Sequence, residues 1–336
     1  MKAWGQPSVL TPLNAFGRPV FAENDQDFVH ICEVGPRDGL QNEAVHLSIE
    51  DKSALIAGVL KAGLRQVEVG SFVSPKAVPA MADTDALTTM VKSTYNSGLR
   101  ALGLVVNAKG FDRALAAGVD GVCIVTVVSE SLCQRNNGCS SQTATATAVD
   151  LLKRARSHGL FARVDVATSW VCPYEGPIAL EQVQRLADQI WEYQPDELAF
   201  CDSIGHAHPY QVASLFAAFG ERYERSRLVA HFHDTQALGL ANATAALFQG
   251  IRRFDSSLGG LGGCPFAPGA KGNLATEDLV HLCHRIGFET GISLSELWAT
   301  IAVLERRIGR PLGGQSRSWF QATQLKNNNQ EHNSRS

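Results

Sequence analysis

The chain has 336 residues, of which 45% are hydrophobic and 19% are charged, a composition typical of a globular protein and not of a disordered one. Its formal net charge of −3 argues against nucleic-acid binding, and no apolar run reaches the roughly 20 residues of a membrane-spanning helix. The first residues, MKAWGQPSVLTPLNAF, resemble neither a secretory nor a mitochondrial leader, so we expect a cytoplasmic protein.

Apolar runs of strand length recur eight times along the chain, and longer stretches with helical spacing separate them. β-Branched residues are frequent in these runs and both faces are apolar, which favours parallel strands covered by helices. The predicted strands span residues 29–35, 66–72, 100–106, 121–128, 161–168, 197–203, 227–233 and 252–258.

The stretches between the strands have the periodicity and the end signals of helices. The first, residues 48–63, begins with Ser48 as a predicted N-cap and ends at a glycine. Further predicted helices span residues 143–159 and 209–223, and an additional one after the last strand spans 293–308. These helices alternate with the strands, as they do in an α/β protein.

The fold predicted from this alternation is a (β/α)8 TIM barrel, with an N-terminal arm and an extra C-terminal helix. Eight β-α units in roughly 250 residues suit a closed barrel. An open doubly wound sheet is the alternative, but no G-x-G-x-x-G follows the first strand. We assign residues 1–26 to the arm, 27–312 to the barrel with its C-terminal helix, and 313–336 to a disordered tail.

Polar side chains stand at or near the carboxyl ends of several predicted strands, the face on which barrel enzymes carry their chemistry. Each has a structural explanation when taken alone, but their shared position on one rim indicates an active site. They are Arg37 and Asp38 after the first strand, Glu68 in the second, Asn107 after the third, Asp202 at the end of the sixth, and His231 and His233 in the seventh.

His231 and His233 point to the same side of their strand because they are two residues apart. Taken in isolation, such a pair is more often a hydrogen-bonded polar patch than a metal site. Two imidazoles would suit zinc if a thiolate or a third imidazole stood close by. Together with a carboxylate and an amide oxygen they suit a harder ion, Mg2+ or Mn2+.

The eight cysteines include no C-x-x-C pair, which argues against a zinc ribbon or a thioredoxin-type site. Several lie in apolar runs, where a thiol behaves as a small buried hydrophobe. Cys264 differs because it lies in the glycine-rich segment 259–273 that follows the eighth strand. That segment is either a plain connector or a mobile lid, and its thiol is a candidate acid or base.

With these residues in place, the sequence as a whole resembles the 3-hydroxy-3-methylglutaryl-CoA lyase family, a group of metal-dependent lyases on a TIM barrel. The similarity extends from about Val29 to Gly314. The strings that carry it are VGPRDGLQNE (34–43), SFVSPKAVPAM (71–81), CPYEG (172–176), HFHDT (231–235) and GGLGGCPFAPGAKGNLATEDLV (259–280). The first and the last are long and therefore specific.

The resemblance implies a role for each matching residue. The implied metal ligands are Asp38, His231, His233 and Asn273. Arg37 matches the arginine that stabilises the developing enolate, Cys264 matches the catalytic cysteine of the glycine-rich loop, and Glu68 matches the acidic residue that supports the metal and the base. Either His231 or Asp38 is a candidate base for the substrate hydroxyl.

The chain also departs from the family pattern. Asp165 stands in the fifth strand where these lyases commonly carry tyrosine, and Trp170 replaces a smaller residue before CPYEG. We expect both to lie near the acyl portion of the substrate. These departures therefore leave the identity of the acyl group undecided, but not the type of reaction. The candidate substrate-binding residues are Gln41, Ser71, Asn107, Asp165, Trp170, Asp202 and Ser203.

The implied activity is the divalent-metal-dependent cleavage of (S)-3-hydroxy-3-methylglutaryl-CoA, or a close analogue, to acetyl-CoA and a 3-oxo acid, as in leucine degradation. The expected partner is a small acyl-CoA, without nucleic acid or membrane, and a homodimer is one option. The first alternative is a lyase for a longer branched or citramalyl-type thioester. An acetyl-CoA-dependent condensing enzyme is disfavoured because little chain follows the matched region. A non-catalytic barrel protein is disfavoured because every matched position is filled.

Overall fold

Eight parallel strands close into a barrel in this computed structural model, which describes residues 28–95, 98–263 and 272–323. The strands are β1 His30–Glu33, β2 Gln66–Ser71, β3 Arg100–Val105, β4 Gly121–Val127, β5 Phe161–Ala167, β6 Glu197–Asp202, β7 Leu228–Phe232 and β8 Arg253–Ser256. Each strand pairs with the next, and β8 closes the barrel on β1 with His30 opposite Arg253. The predicted TIM barrel is confirmed.

Ten helices accompany the strands between residues 28 and 308 of the described chain, and residues 317–323 form a further short helical segment. The ten helices are α1 Ile49–Ala62, α2 Thr84–Thr94, α3 Ala108–Ala117, α4 Glu130–Asn137, α5 Ser141–Ser157, α6 Leu180–Trp191, α7 Pro209–Gly220, α8 Gly239–Phe248, α9 Thr276–Ile286 and α10 Leu294–Ile308. The extra C-terminal helix α10 packs on α1. None of these helices is both long and apolar enough to cross a lipid bilayer.

Side-chain hydroxyls cap several of the helices and so set where they begin. Ser48 accepts a hydrogen bond from the Asp51 N–H at 3.2 Å at the start of α1, as the sequence predicted. Helix α5 begins at Ser141, two residues before the predicted start, because Ser140 caps it by accepting from the Thr143 N–H.

The chain after α10 corrects the predicted boundary of the disordered tail. Residues 317–323 are helical, and the ring of Phe320 stacks on Trp298 of α10 with 4.6 Å between ring centroids. Gly314 and Ser316 donate backbone N–H groups to the carboxylates of Glu277 and Asp278 in α9. The predicted tail 313–336 was therefore wrong for its first part, because these contacts order the backbone. The predicted arm, 1–26, and residues 324–336 lie outside the described residues.

Alternation along the strands separates an apolar layer from a charged barrel interior. In β7, Phe232 points outward and packs against Trp170, whereas His231 on its neighbouring position points inward to Asp255 of β8. In β5, Arg163 and Asp165 point inward and are almost fully buried. The outward residues form the core between strands and helices, and the inward residues comprise the charged side chains of the site and small apolar clusters such as Leu102 with Cys123.

Candidate metal-binding active site

A tight helical turn, Gly35–Gly39, carries Arg37 and Asp38 over the end of β1. The carbonyl of Val34 accepts backbone N–H groups from Arg37, Asp38 and Gly39 at 3.1, 2.8 and 3.2 Å. Three bonds to one carbonyl close a single turn of π-helix, and both charged side chains project from this short turn. Irregular helical turns of this kind are frequent at functional sites.

Glu33, which the sequence reasoning did not single out, fixes that turn from below. Its carboxylate accepts the N–H of Gly35 at 2.8 Å, the N–H of Leu258 at 2.8 Å and the hydroxyl of Thr276 at 2.7 Å. Burial raises the pKa of Glu33 to about 7, although these three hydrogen bonds oppose the shift. Glu33 thus ties the end of β1 to the end of β8 and the start of α9.

The other candidate metal ligands come from β7 and from the chain just before α9. Leu274 donates its N–H to the Phe232 carbonyl at 2.9 Å, and Asn273 lies beside His233 in an antiparallel bridge. The backbone therefore brings the amide of Asn273 to the end of β7, about 40 residues away along the chain.

The side chains of Asp38, His231, His233 and Asn273 converge at the mouth of the barrel. The Oδ2 atom of Asp38 lies 3.9 Å from Nε2 of His231 and 3.7 Å from Nε2 of His233. The same oxygen accepts a hydrogen bond from Nδ2 of Asn273 at 2.8 Å. The four predicted ligands are thus in one place, with both imidazoles presenting Nε2.

This cluster fits a small divalent cation. Bonds of about 2.1 Å to an octahedral ion separate neighbouring ligand atoms by roughly 3 Å and opposite ones by roughly 4 Å, which brackets the two distances between imidazole and carboxylate. The buried Oδ1 of Asn273 has no hydrogen-bond partner among the described residues. An unpartnered amide oxygen beside a carboxylate and two imidazoles is the donor set that Mg2+ or Mn2+ accepts.

The charges around the cluster keep Asp38 ionised and make the two imidazoles unequal. Burial alone would raise the pKa of Asp38, but Arg37 and the two histidines lower it to about 2. Burial and, to a smaller extent, the neighbouring His231 lower the pKa of His233 to about 4. Burial also disfavours a charged His231, but its hydrogen bond to Asp255 raises the pKa above its ordinary value.

Arg37 lies between two carboxylates, and this fixes its orientation. Its Nε donates to Glu68 at 2.5 Å and its Nη1 donates to Asp38 at 2.5 Å. Although burial works in the other direction, these charges raise the pKa of Arg37, which stays a permanent cation. The hydrogen bonds use Nε and Nη1, so Nη2 is the end of the guanidinium that can meet a substrate.

Behind His231 lies a chain of charged residues, of which the sequence analysis had named Asp165 but neither Asp255 nor Arg163. Nδ1 of His231 is 2.9 Å from Oδ2 of Asp255, which in turn accepts from Nη2 of Arg163. Nη1 of Arg163 donates to the other oxygen of Asp255 at 2.7 Å, and Nε donates to Asp165 at 2.6 Å. The sequence did contain a signal for these residues, because charged residues interrupt the otherwise apolar runs of β5 and β8.

A second group of potential ligands lies deeper in the barrel and contains Glu68, Cys123 and Asp165, all buried. Burial raises the pKa of Asp165 to about 6; the Arg163 charge opposes the shift, and Glu68 and Asp255 add to it. Arg37 and Arg163 already form ion pairs with the two carboxylates of this group. We therefore interpret the group as part of the network of opposite charges in the site and not as a second metal site.

Cys264 lies outside the described residues, but the chain just before it is described. The carbonyl of Gly263 accepts a hydrogen bond from Nδ2 of Asn42 at 2.9 Å, close to the turn that carries Asp38. A Cβ on Gly262, whose φ is +112°, would lie 2.6 Å from Nδ2 of Asn273. The segment that leads to Cys264 therefore passes directly over the ligand cluster.

Among the proposed substrate-binding residues, several already serve the backbone. Asn107 caps α3 by accepting from the Gly110 N–H at 2.9 Å. Asp202 accepts the N–H groups of His206 and Ala207, and Ser203 accepts the Thr168 N–H at 2.9 Å. These residues shape the rim loops, which is compatible with a substrate contact but does not require one.

The remaining candidates differ in their access to the barrel mouth. Gln41 is partly exposed on the turn after β1, and Ser71 is buried with no partner for its hydroxyl among the described residues. Trp170 is 0% exposed and packs between Phe216 and Phe232 in the outer layer. Trp170 thus lies in the outer layer, and its expected place near the acyl group stays a prediction.

Comparisons with known proteins find relatives over most of the chain. The family model described as HMGL-like matches residues 28–304. The hydroxymethylglutaryl-CoA lyase of Pseudomonas mevalonii is 39% identical over 290 residues, 86% of this chain and 94% of that protein. The (R)-citramalyl-CoA lyase of Chloroflexus aurantiacus is 39% identical over 295 residues, 84% of this chain and 92% of that protein.

A solved structure gives the same result for the fold. The HMG-CoA lyase of Acinetobacter baumannii, in complex with coenzyme A and 3-methylmalate, superposes with a TM-score of 0.84 at 34% identity. The match covers 88% of this chain and 96% of that one. With a matching family model, close relatives and a shared barrel, the chain belongs to the HMGL-like family of carbon–carbon lyases.

Proposed function

We propose that this protein is a divalent-metal-dependent lyase that cleaves (S)-3-hydroxy-3-methylglutaryl-CoA, or a close analogue, to acetyl-CoA and a 3-oxo acid. The observation that carries the proposal is the convergence of Asp38, His231, His233 and Asn273 beside the guanidinium of Arg37. The activity named for the Pseudomonas mevalonii relative supports the choice of substrate.

The four converging side chains would hold Mg2+ or Mn2+ at the mouth of the barrel. When bound, such an ion acidifies the tertiary hydroxyl of a 3-hydroxyacyl-CoA and fixes its orientation. Asp38 supplies the anionic ligand because its pKa of about 2 keeps it ionised at all physiological pH values. Asp38 or His231 takes the hydroxyl proton, and His231 can do so only while its Nε2 is not bound to the cation.

Arg37 stabilises the enolate that forms as the bond between C2 and C3 breaks. Its guanidinium does not titrate, and Glu68 and Asp38 hold it in one orientation. Among the described residues Nη2 has no hydrogen-bond partner, which leaves it available for the thioester oxygen. Glu68 acts through Arg37 and does not itself need to touch the substrate. Cys264, preceded by a segment anchored over the site, donates the proton that converts the enolate carbon to the methyl group of acetyl-CoA.

A citramalyl-type thioester is the second candidate substrate, and two observations favour it. The Chloroflexus aurantiacus relative carries that name, and the Acinetobacter baumannii structure contains 3-methylmalate, a short hydroxy diacid. In addition, Asp165 places a carboxylate deep in the barrel, near Arg37 and Glu68. A charged group there would disfavour a long apolar chain at C3, which argues against the longer branched thioesters and does not separate the citramalyl from the hydroxymethylglutaryl substrate.

The deciding experiment measures acetyl-CoA release from a panel of 3-hydroxyacyl-CoA thioesters, with and without Mg2+. The panel contains the hydroxymethylglutaryl, citramalyl and longer branched thioesters. A kcat/KM highest for hydroxymethylglutaryl-CoA supports the primary proposal, and a marked preference for another thioester replaces it. The proposed cytoplasmic location and homodimer are separate questions, answered by cell fractionation and by light scattering of the purified protein.

A further inference from the structure

We propose that Asp255 and Arg163 are positioning residues that fix the tautomer of His231 and thereby set the affinity for the divalent cation. The inference rests on the metal site of the proposed function. It concerns two residues that have no contact with the Asp38 carboxylate and act only through His231.

Asp255 meets the imidazole of His231 on the side opposite the ligand cluster. Its Oδ2 lies 2.9 Å from Nδ1, whereas Nε2 of the same ring points towards Asp38. A carboxylate can only accept at Nδ1, so Nδ1 carries the proton in the neutral ring and Nε2 keeps its lone pair. That lone pair is what a cation requires, and a carboxylate behind a histidine also makes it a stronger ligand.

Arg163 holds Asp255 in that position with a two-pronged interaction. Nη1 and Nη2 donate to the two carboxylate oxygens, and Nε donates to Asp165 on the same strand as Arg163. Arg163 and Asp255 are each 1% exposed, so water does not compete for these bonds. Because the planar guanidinium binds both carboxylate oxygens, Asp255 has a single orientation, in which Oδ2 faces His231.

His233 provides an internal comparison, because its ring is not supported in the same way. Nδ1 of His233 is buried and has no hydrogen-bond partner among the described residues. The two imidazoles therefore enter the site with different constraints, and His231 is the one whose tautomer the protein sets before a cation arrives. Replacement of Asp255 should act on His231 and leave His233 unchanged.

The first test replaces Asp255 by asparagine and measures Mn2+ binding by titration calorimetry without substrate. Asparagine has the same shape but one acceptor oxygen, whereas Arg163 and His231 together use both oxygens of Asp255. Whichever way the amide turns, its NH2 group meets another donor. We expect the Kd for Mn2+ to rise tenfold to a hundredfold, the usual range for loss of such a partner.

The second readout is the tautomer itself, observed by NMR of metal-free protein carrying 15N-labelled histidine. In the parent, His231 should be protonated at Nδ1, and in Asp255→Asn this preference should fall while the His233 signals stay. A His231→Gln variant assigns the resonances. A merely structural role for Asp255 would alter stability but not this tautomer preference.

Glu277→Gln is the matched control, since Glu277 is also a fully buried carboxylate but, among the described residues, its hydrogen bonds come from backbone N–H groups such as those of Gly259 and Gly314 and not from a histidine. Its Kd for Mn2+ should equal that of the parent. Arg163→Lys keeps the positive charge but cannot bind both oxygens of Asp255, so it should weaken Mn2+ binding less than Asp255→Asn does. If Asp255→Asn does not fold, the same measurement on Arg163→Lys serves as the test.

A folded Asp255→Asn variant that binds Mn2+ as tightly as the parent, or an unaltered His231 tautomer, would overturn the inference. Because binding is measured without acyl-CoA, a parent protein that binds Mn2+ but cleaves none of the thioesters would refute the proposed function and leave this inference standing.

Discussion

The Nε2 atom of His233 lies 3.7 Å from Oδ2 of Asp38, too far for a hydrogen bond and within the spacing that two ligands of one small cation keep. His231 stands at a similar distance from the same oxygen, 3.9 Å. The three side chains therefore leave room for an ion between them and are not simply bonded to one another.

Metal removal is the first prediction that follows. Exhaustive chelation should reduce acetyl-CoA release to the background rate, and Mg2+ or Mn2+ should restore it. The released apoprotein should stay folded by circular dichroism, because the barrel core does not depend on the cluster. Full activity in the presence of chelator would contradict the assigned ligands.

Arg37→Lys should lower kcat by at least a hundredfold. Lysine keeps a positive charge but has no planar fork to bond Glu68 and Asp38 while meeting the substrate, and loss of one such donor costs roughly 2.7–4 kcal/mol. Steady-state kinetics on the preferred thioester gives the answer. A turnover close to that of the parent would remove Arg37 from the mechanism.

Cys264→Ser should fold and bind Mn2+ normally but lose turnover, since a hydroxyl is a far weaker acid than a thiol at the enolate carbon. Cys283→Ser is the control, because that thiol is fully buried in α9 and far from the rim. The assay is run under reducing conditions. Equal rates for parent and Cys264→Ser would make Cys264 structural.

The raised pKa of Asp165 predicts a pH-dependent stability that Asp165→Asn should lack. Burial raises this pKa from 3.8 to about 6, so the folded state holds the proton more tightly than the unfolded state does. The favourable contribution is complete below pH 3.8 and is lost as the pH rises through about 6, a change of at most about 3 kcal/mol.

Urea unfolding of the metal-free parent and of Asp165→Asn at about pH 5 and about pH 7.5 checks this prediction. The variant should gain stability relative to the parent at the higher pH. A difference between the two proteins that does not change with pH would show that Asp165 stays ionised throughout.

Trp170→Phe should leave the order of preferred acyl-CoA substrates unchanged. Trp170 packs against Phe216 and Phe232 in the outer layer, so the change should cost about 1–2 kcal/mol of unfolding free energy through the space it leaves. The substrate panel and a denaturant titration test both statements. A changed order of preferred substrates would show that Trp170 does contribute to the acyl pocket.

Most of the barrel was predictable from the sequence because its strands are buried on both faces. All eight observed strands fall within the predicted runs, and α10 begins one residue after its predicted start because Ser293 is its N-cap. The start of α5 was placed too late because Ser140 and Ser141 are both potential caps. The end of the ordered chain was misplaced because the contacts of residues 313–323 with α9 and α10 have no local signal.

The ligand cluster was also predictable, since its members follow from strand ends and from the family resemblance. Asp255 and Arg163 were not, because a single charged residue inside a strand does not reveal what it will meet across a barrel. Their pairing depends on the register that places Asp255 of β8 beside His231 of β7. The place of Trp170 near the acyl group stays a prediction, because proximity in sequence to CPYEG does not fix which face of the barrel a side chain takes.

The burial of the interior ion pairs has a consequence for the effect of salt. Arg163, Asp165 and Asp255 are at most 4% exposed, so dissolved ions cannot enter between them and screening is weak. Exposed pairs such as Arg222 with Asp188 are screened at ordinary ionic strength. Added salt should therefore weaken the outer surface electrostatics and the encounter with the anionic coenzyme, while the field inside the barrel stays almost constant.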